Sequence, residues 1–197
     1  MSNELLEKYS IGEIQFPTKS GLPSMLVNKD KILDIIQKIK EDEKLLYDQL
    51  IDITVIDNIS SKTNYSKQRF TVIYSFLSLR FNKRLLILSN ISEEDLSIDS
   101  ITQIFESANW FEREVYDLFG ITFRNHPNLQ RLMNDYNFQG HPLRKDFPLT
   151  GYEEVRYDEN SKKVVYEPVT LKQEFRDFDN ESPWEGMKET IKKEIGK

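Results

Sequence analysis

The 197-residue chain contains no cysteine. Without thiolates it can hold no disulfide framework, no iron-sulfur cluster and no Cys-based zinc site, so any redox role would be played beside a cofactor and not around one. Histidine is almost as scarce, with only His126 and His141 present. Positive charge is in deficit. Lys and Arg number 27 against 33 Asp and Glu, which gives a net charge of -6 and a pI near 5.1, and this argues against nucleic acid as a partner. No apolar run approaches the roughly 20 residues that a bilayer requires. The opening MSNELLEKYS, with two glutamates and one lysine, fits neither a signal peptide nor an Arg-rich transit peptide, and predicts a protein that stays where it is made. GxGxxG, Walker and nucleophile-elbow patterns are all missing, so no nucleotide is bound by a known device.

What is present predicts an α+β chain: a two-layer domain with helices packed on a mixed or antiparallel sheet, then a long loop, a β-hairpin and an extended C-terminal arm. Apolar residues make up 38% of the sequence, enough for one core but low for a chain without partners. A short strand is expected at 24–27. Asp30 has the character of an N-cap for a helix carrying Ile32, Ile35, Ile36 and Ile39 at helical spacing. LIDITVI alternates as a strand to Ile56, Asn58 to Lys67 is turn-rich, and RFTVIYSFLSL and 84–89 complete an antiparallel meander. Ser100 or Asp99 is the expected cap of the strongest helix, whose stripe runs Ile101, Ile104, Phe105, Ala108, Phe111, Val115, Leu118 and Phe119, with Gly120 closing it in the left-handed region. The domain boundary is placed after Phe123: 1–123 is the core, and 124–197 comprises an interaction loop, a hairpin and an arm. The hairpin, EVRY and KKVVYEP around 158–161, carries alternating charges and is expected to lean on another protein. The tail from Thr170 is expected to become ordered on a partner.

The chain is organised around Glu112 to Tyr152. After Phe123 the hydrophobic period disappears, and 124–146 reads as a long ordered loop with at most a short helix near 129–134. Loops of this length inside a domain are usually functional or disordered, and Tyr136, Phe138 and Phe147 argue against disorder. Arginine, aromatics and X-Pro steps give it the composition of a contact surface. His126-Pro127 and His141-Pro142, with Asp135 and Asp146 nearby, could form a His/carboxylate site, but their spacing matches no metal motif, and histidines in proline-bounded loops are more often hydrogen-bonded turn residues. Arg113 and Asp117 could pair at i,i+4 on the helix surface; alternatively, Glu112, Arg113 and Glu114 cross-brace the following segment. Arg144 in HPLRKDFP lies outside every periodic element, so its reversal is expected to damage assembly more than folding.

At these same residues the sequence resembles a family. The runs EREVYDLFGITFRNHPNLQRLM, NDYNFQGHPLRKDFPLTGYEEVRYD and VVYEPVTLKQEFRDFDNESPWEG, with RFTVIYSFLSLRFNKRL upstream, are similar to the 30 kDa subunit (the C-subunit) of proton-pumping NADH:quinone oxidoreductase, respiratory complex I. Gln130 departs from the basic residue usual there, and Asn137 from a common glycine. The resemblance implies a non-catalytic peripheral-arm subunit of the enzyme that carries electrons from NADH through FMN and iron-sulfur clusters to a quinone. FMN and clusters would reside in partner subunits, and this chain would bind no cofactor or metal. Its partners would be the other complex I peripheral-arm subunits, especially the large quinone-site subunit (the D-subunit) and cluster-bearing subunits. Its place would be the cytoplasmic face of a bacterial inner membrane, or the matrix side if organelle-encoded. The positions carried over as an interfacial signature are Glu112, Arg113, Glu114, Asp117, His126, Arg131, His141, Pro142, Leu143, Arg144, Lys145, Asp146 and Phe147. The alternatives are the equivalent subunit of an NDH-type or membrane-bound hydrogenase complex, or a free-standing His/Asp enzyme.

Overall fold

The computed structural model describes residues 22–59 and 68–170. Strand β1 (Ser24–Leu26) is followed by a 3-10 turn at Lys29–Lys31, helix α1 (Ile32–Glu41), and strands β2 (Gln49–Asp57), β3 (Phe70–Ser78) and β4 (Lys83–Ile91). Next come β5 (Ser97–Asp99), helix α2 (Ala108–Phe119), β6 (Thr122–Arg124), and the hairpin β7 (Glu153–Asp158) and β8 (Lys163–Pro168). The main sheet has the order β1-β4-β3-β2. The meander β2-β3-β4 is antiparallel, as the alternating sequence predicts, and β1 adds in parallel to β4, which makes the sheet mixed. The turn-rich stretch expected from Asn58 to Lys67 falls largely outside the described residues, as does the tail beyond Thr170.

The alternation explains the two layers. Met25, Ile53, Val55, Phe70, Val72, Tyr74, Phe76, Leu85 and Ile87 share the sheet face that is buried beneath the helices. All four predicted isoleucines of α1 are fully buried against it. At this degree of burial each is worth ~1.5 to 3 kcal/mol over an exposed position. The cap differs from expectation: the Asn28 side chain accepts the Asp30 N–H and starts the 3-10 turn that leads into α1. Lys40 of α1 ties the helix layer together by bonding Ile104 O and lying 4.5 Å over the Phe105 ring.

The second helix is shorter than its stripe. Residues Ile101 to Ser107 form successive turns, with Phe105 N bonding Ile101 O and Ala108 N bonding Phe105 O, and α2 begins only at Ala108. A stripe with three- and four-residue spacing reports burial, which separate turns satisfy as well as a continuous helix does. Here Ile101 N–H is taken by the Glu112 side chain, which brings the turn back onto α2. Gly120 closes α2 with φ +76°, as expected. A β-α-β unit results, since β5 and β6 pair in parallel across α2.

The chain divides into two compact units, Met1–Gly151 and Tyr152–Lys197. The loop after Phe123 thus belongs with the first unit, and the boundary read from the sequence lies some thirty residues too early because polar anchors, which hydrophobic periodicity does not register, fasten that loop. In the second unit β7 and β8 pair antiparallel with Val155 opposite Tyr166 and Tyr157 opposite Val164. This aromatic face is exposed, and the Arg156–Glu167 ion pair lies on the other face.

Candidate subunit-interface loop

Asp117 is fully buried near the end of α2, and its carboxylate collects five donors from the loop. Oδ1 accepts from Arg131 at 2.7 Å and from the Asn134 side chain at 2.9 Å. Oδ2 accepts the consecutive N–H groups of Leu132, Met133 and Asn134 at 2.9, 2.6 and 2.9 Å. Three successive amides aimed at one oxygen make an anion nest, and that is why 129–134 forms no helix. Burial alone would raise the Asp117 pKa, but Asn134, Arg131 and the Leu132 amide outweigh it and hold the carboxyl well below the usual range.

The loop is fastened elsewhere through backbone carbonyls that the end of a helix leaves unpaired. His141 Nδ1 donates to Asp117 O at 3.0 Å, Leu143 N to Leu118 O at 3.1 Å, and Arg144 Nε to Phe119 O at 2.6 Å. The Arg144 guanidinium also lies 5.3 Å over the Phe70 ring. Gly120 permits this approach, because a Cβ there would stand 2.5 Å from both Arg144 Nη2 and His141 Nε2. Arg113 does not pair with Asp117. It donates to Gln130 O and Arg131 O, the cross-brace alternative, while Arg131 also reaches Gly140 O. Phe147 packs on Phe138 at 5.8 Å between centroids and fills the space beside Gly140.

A second anchor comes from the sheet. Asp57, buried at the end of β2, receives Arg69 and the Lys145 N–H at 2.9 Å. Arg69 in turn binds Asp146 at 2.8 Å and Glu93. Sequence reasoning missed Asp57 and Arg69. The available signal was an acid at the next inward position after Ile53 and Val55, where an apolar residue would be expected.

The two histidines are not brought together as a reaction centre. Each bonds backbone groups: His126 Nδ1 accepts Asn128 N–H at 3.0 Å and Nε2 faces Asn109 O at 3.2 Å, while His141 holds Asp117 O. Burial lowers both pKa values, the accepting carbonyls oppose it, and neighbouring arginines add to the lowering. Among the described residues no group of three or more His, Cys, Asp or Glu side chains could hold a metal ion.

Of the predicted signature, then, Arg113, Asp117, Arg131, His141, Leu143, Arg144 and Phe147 converge on one collar beside α2, while Lys145 and Asp146 are held from the sheet by Asp57 and Arg69. Glu112 and His126 lie at the far side of that helix, Glu114 is half-buried and makes none of these bonds, and Pro142 sits within the collar backbone. Arg144, whose reversal was expected to damage assembly more than folding, is tied within its own domain by the bond to Phe119 O and the contact with Phe70, which gives it a part in folding as well. Outward, the same loop exposes Met133, Tyr136, Leu143 and Leu149, of which Tyr136 is 92% and Leu149 88% exposed. Polar anchors thus face inward while four large apolar side chains of the same loop face solvent.

The family profile described as respiratory-chain NADH dehydrogenase, 30 Kd subunit, matches residues 25–153. The chain is 47% identical over 169 residues to the NADH-quinone oxidoreductase C-subunit of Rhodospirillum rubrum, covering 86% of this chain and 76% of that protein. With the corresponding C-subunit of a Jannaschia species it shares 50% over 166 residues, covering 84% and 77%. Among solved structures, the trypsin-resistant fragment (1-134) of Nqo5 superposes with a TM-score of 0.57 at 27% identity, covering 65% of this chain and 98% of that one. A chain of the archaeal membrane-bound sulfane sulfur reductase shares the fold at a TM-score of 0.60 and 22% identity, covering 83% and 96%. The chain belongs to the respiratory-chain NADH dehydrogenase 30 kDa subunit family.

Proposed function

We propose that this chain is a peripheral-arm subunit of a proton-translocating NADH:quinone oxidoreductase and that it acts by holding other subunits in place, with FMN and the iron-sulfur clusters in those partners. The observation that carries the reading is the collar: five donors on one buried carboxylate fix a loop that holds Met133, Tyr136, Leu143 and Leu149 out to solvent. A surface fixed before contact loses little entropy on docking, which suits a scaffold in a large assembly. The large quinone-site subunit and the neighbouring cluster-bearing subunits are the partners assigned to it. The cysteine-free composition supports a chain without a cluster of its own.

Among the described residues no helix is long and apolar enough to cross a membrane. Attachment to the membrane then runs through protein contacts, on the cytoplasmic side of a bacterial inner membrane or the matrix side of an organelle. The test is purification of the tagged chain from native membranes under mild detergent. Recovery with the companion subunits and NADH:quinone activity supports the proposal, and recovery of the chain alone in a fully active membrane would overturn it.

A further inference from the structure

Glu112 takes no part in the collar. Its side chain is fully buried on the inner side of α2; Oε1 accepts the Ile101 N–H at 2.7 Å, while Oε2 has no hydrogen-bond partner among the described residues. The groups around it are Ser100 and Ile101 from the turn after β5, Tyr74 from β3, and His126 from the loop after β6. The Tyr74 hydroxyl is likewise buried and, among the described residues, unpartnered, and a charge on Glu112 or Asp99 would hold its proton more tightly.

The obvious counter-charge is His126, whose Nε2 stands 4.0 Å from Oε2. Its hydrogen bonds forbid that role. Nδ1 accepts the Asn128 N–H, so it carries no proton, and the Nε2 proton points to Asn109 O. Such a ring is neutral. Protonating Nδ1 would set two donors against each other, and the positive charge of Arg113 disfavours it further. A buried carboxylate with no compensating cation is too costly to keep ionised.

We propose that Glu112 is a neutral carboxylic acid in the folded domain and that loss of its proton weakens the packing of the Ser100–Thr102 turn on α2, making it a proton-operated latch. Burial pushes its carboxyl up to about 7, against the hydrogen bonds from Ser100 and Ile101. A carboxyl raised in the folded state contributes stability that is full below its unfolded value and is lost as pH rises through the folded one. The span from 4.5 to about 7 amounts to roughly a 300-fold change in the folding equilibrium constant.

The experiment compares the full-length wild type with Glu112→Gln, which mimics the neutral acid, by urea unfolding from pH 5 to pH 8. The ratio of wild-type to variant folding constants is expected to fall by at least tenfold and up to about a hundredfold across that range. A constant ratio would overturn the proposal. Should the variant fail to fold, carbon-13 NMR of glutamate-labelled wild type decides the matter directly. One side-chain carboxyl titrating near neutrality is expected, and all glutamates titrating in the ordinary acidic range would refute it.

Discussion

Replacing Asp117 by Asn removes one charge and keeps the shape. In the wild type both oxygens only accept, Oδ1 from Arg131 and Asn134 and Oδ2 from three backbone amides. A side-chain amide presents a donor on one side, so whichever way the new group turns, an NH2 faces donors and a set of loop N–H groups loses its acceptor. Breaking a buried pair by removing one partner costs ~3 to 5 kcal/mol. Because Arg131 is half-buried and its loop can recover some water, the lower end, about 3 kcal/mol, is the expected loss. In a domain of this size that corresponds to a fall of about 6 to 12 °C in Tm. The assay is urea and thermal unfolding of the purified chain. A surface i,i+4 pair with Arg113 would instead give ~0.3 to 0.5 kcal/mol, so the two readings are well separated. The pH dependence adds a second check. The Asp117 carboxyl is held below its ordinary value, so its stabilisation is present above the unfolded pKa and vanishes as pH falls through the folded one. The gap between wild type and variant should therefore close in strong acid. A variant as stable as wild type at pH 7 would refute the anchoring role.

Gly120→Ala places a Cβ 2.5 Å from Arg144 and His141 at φ +76°, and is expected to cost ~1 to 3 kcal/mol by urea unfolding; a neutral result would show that the loop stands off the helix. Arg144→Glu should destabilise the isolated chain by ~2 kcal/mol or more, since it loses the Phe119 carbonyl and the face of Phe70, and complex yield should fall with it. An unaffected monomer would restore the purely interfacial reading of this arginine. Limited trypsin digestion should cut at the exposed Arg156, Lys162 or Lys163 of the hairpin before it cuts at Arg131 or Arg144, and mass spectrometry of the early fragments checks the order.

The strands were legible because Ile53, Val55, Phe70, Val72, Tyr74 and Phe76 alternate on one buried face. The four isoleucines of α1 and the glycine after α2 were legible for equally local reasons. The loop was not, since its fastening depends on which carboxylate meets which amide, and Asp117 looks the same in sequence whether it faces water or a nest of N–H groups. Asp57 lies 88 positions from its loop partner Lys145, and Arg69 is nearly as far from Asp146, beyond the reach of any periodicity. Most of the signature positions tie the loop to its own domain, and Met133, Tyr136 and Leu149, three of the large apolar side chains it exposes, lie outside that signature.

The proposed role places the anchors inward and the docking surface outward. Its most direct test is the double variant Tyr136→Ser with Leu149→Asp, introduced into the chain in its native membranes. Both side chains are largely exposed, so unfolding of the purified variant should stay within about 0.5 kcal/mol of wild type. Loss of apolar anchors at a docked surface should at the same time cost ~2 kcal/mol or more in association, about thirtyfold in affinity. The prediction is a normally folded chain with sharply reduced recovery of the assembled NADH:quinone oxidoreductase. A full yield of active complex from this variant would contradict the account.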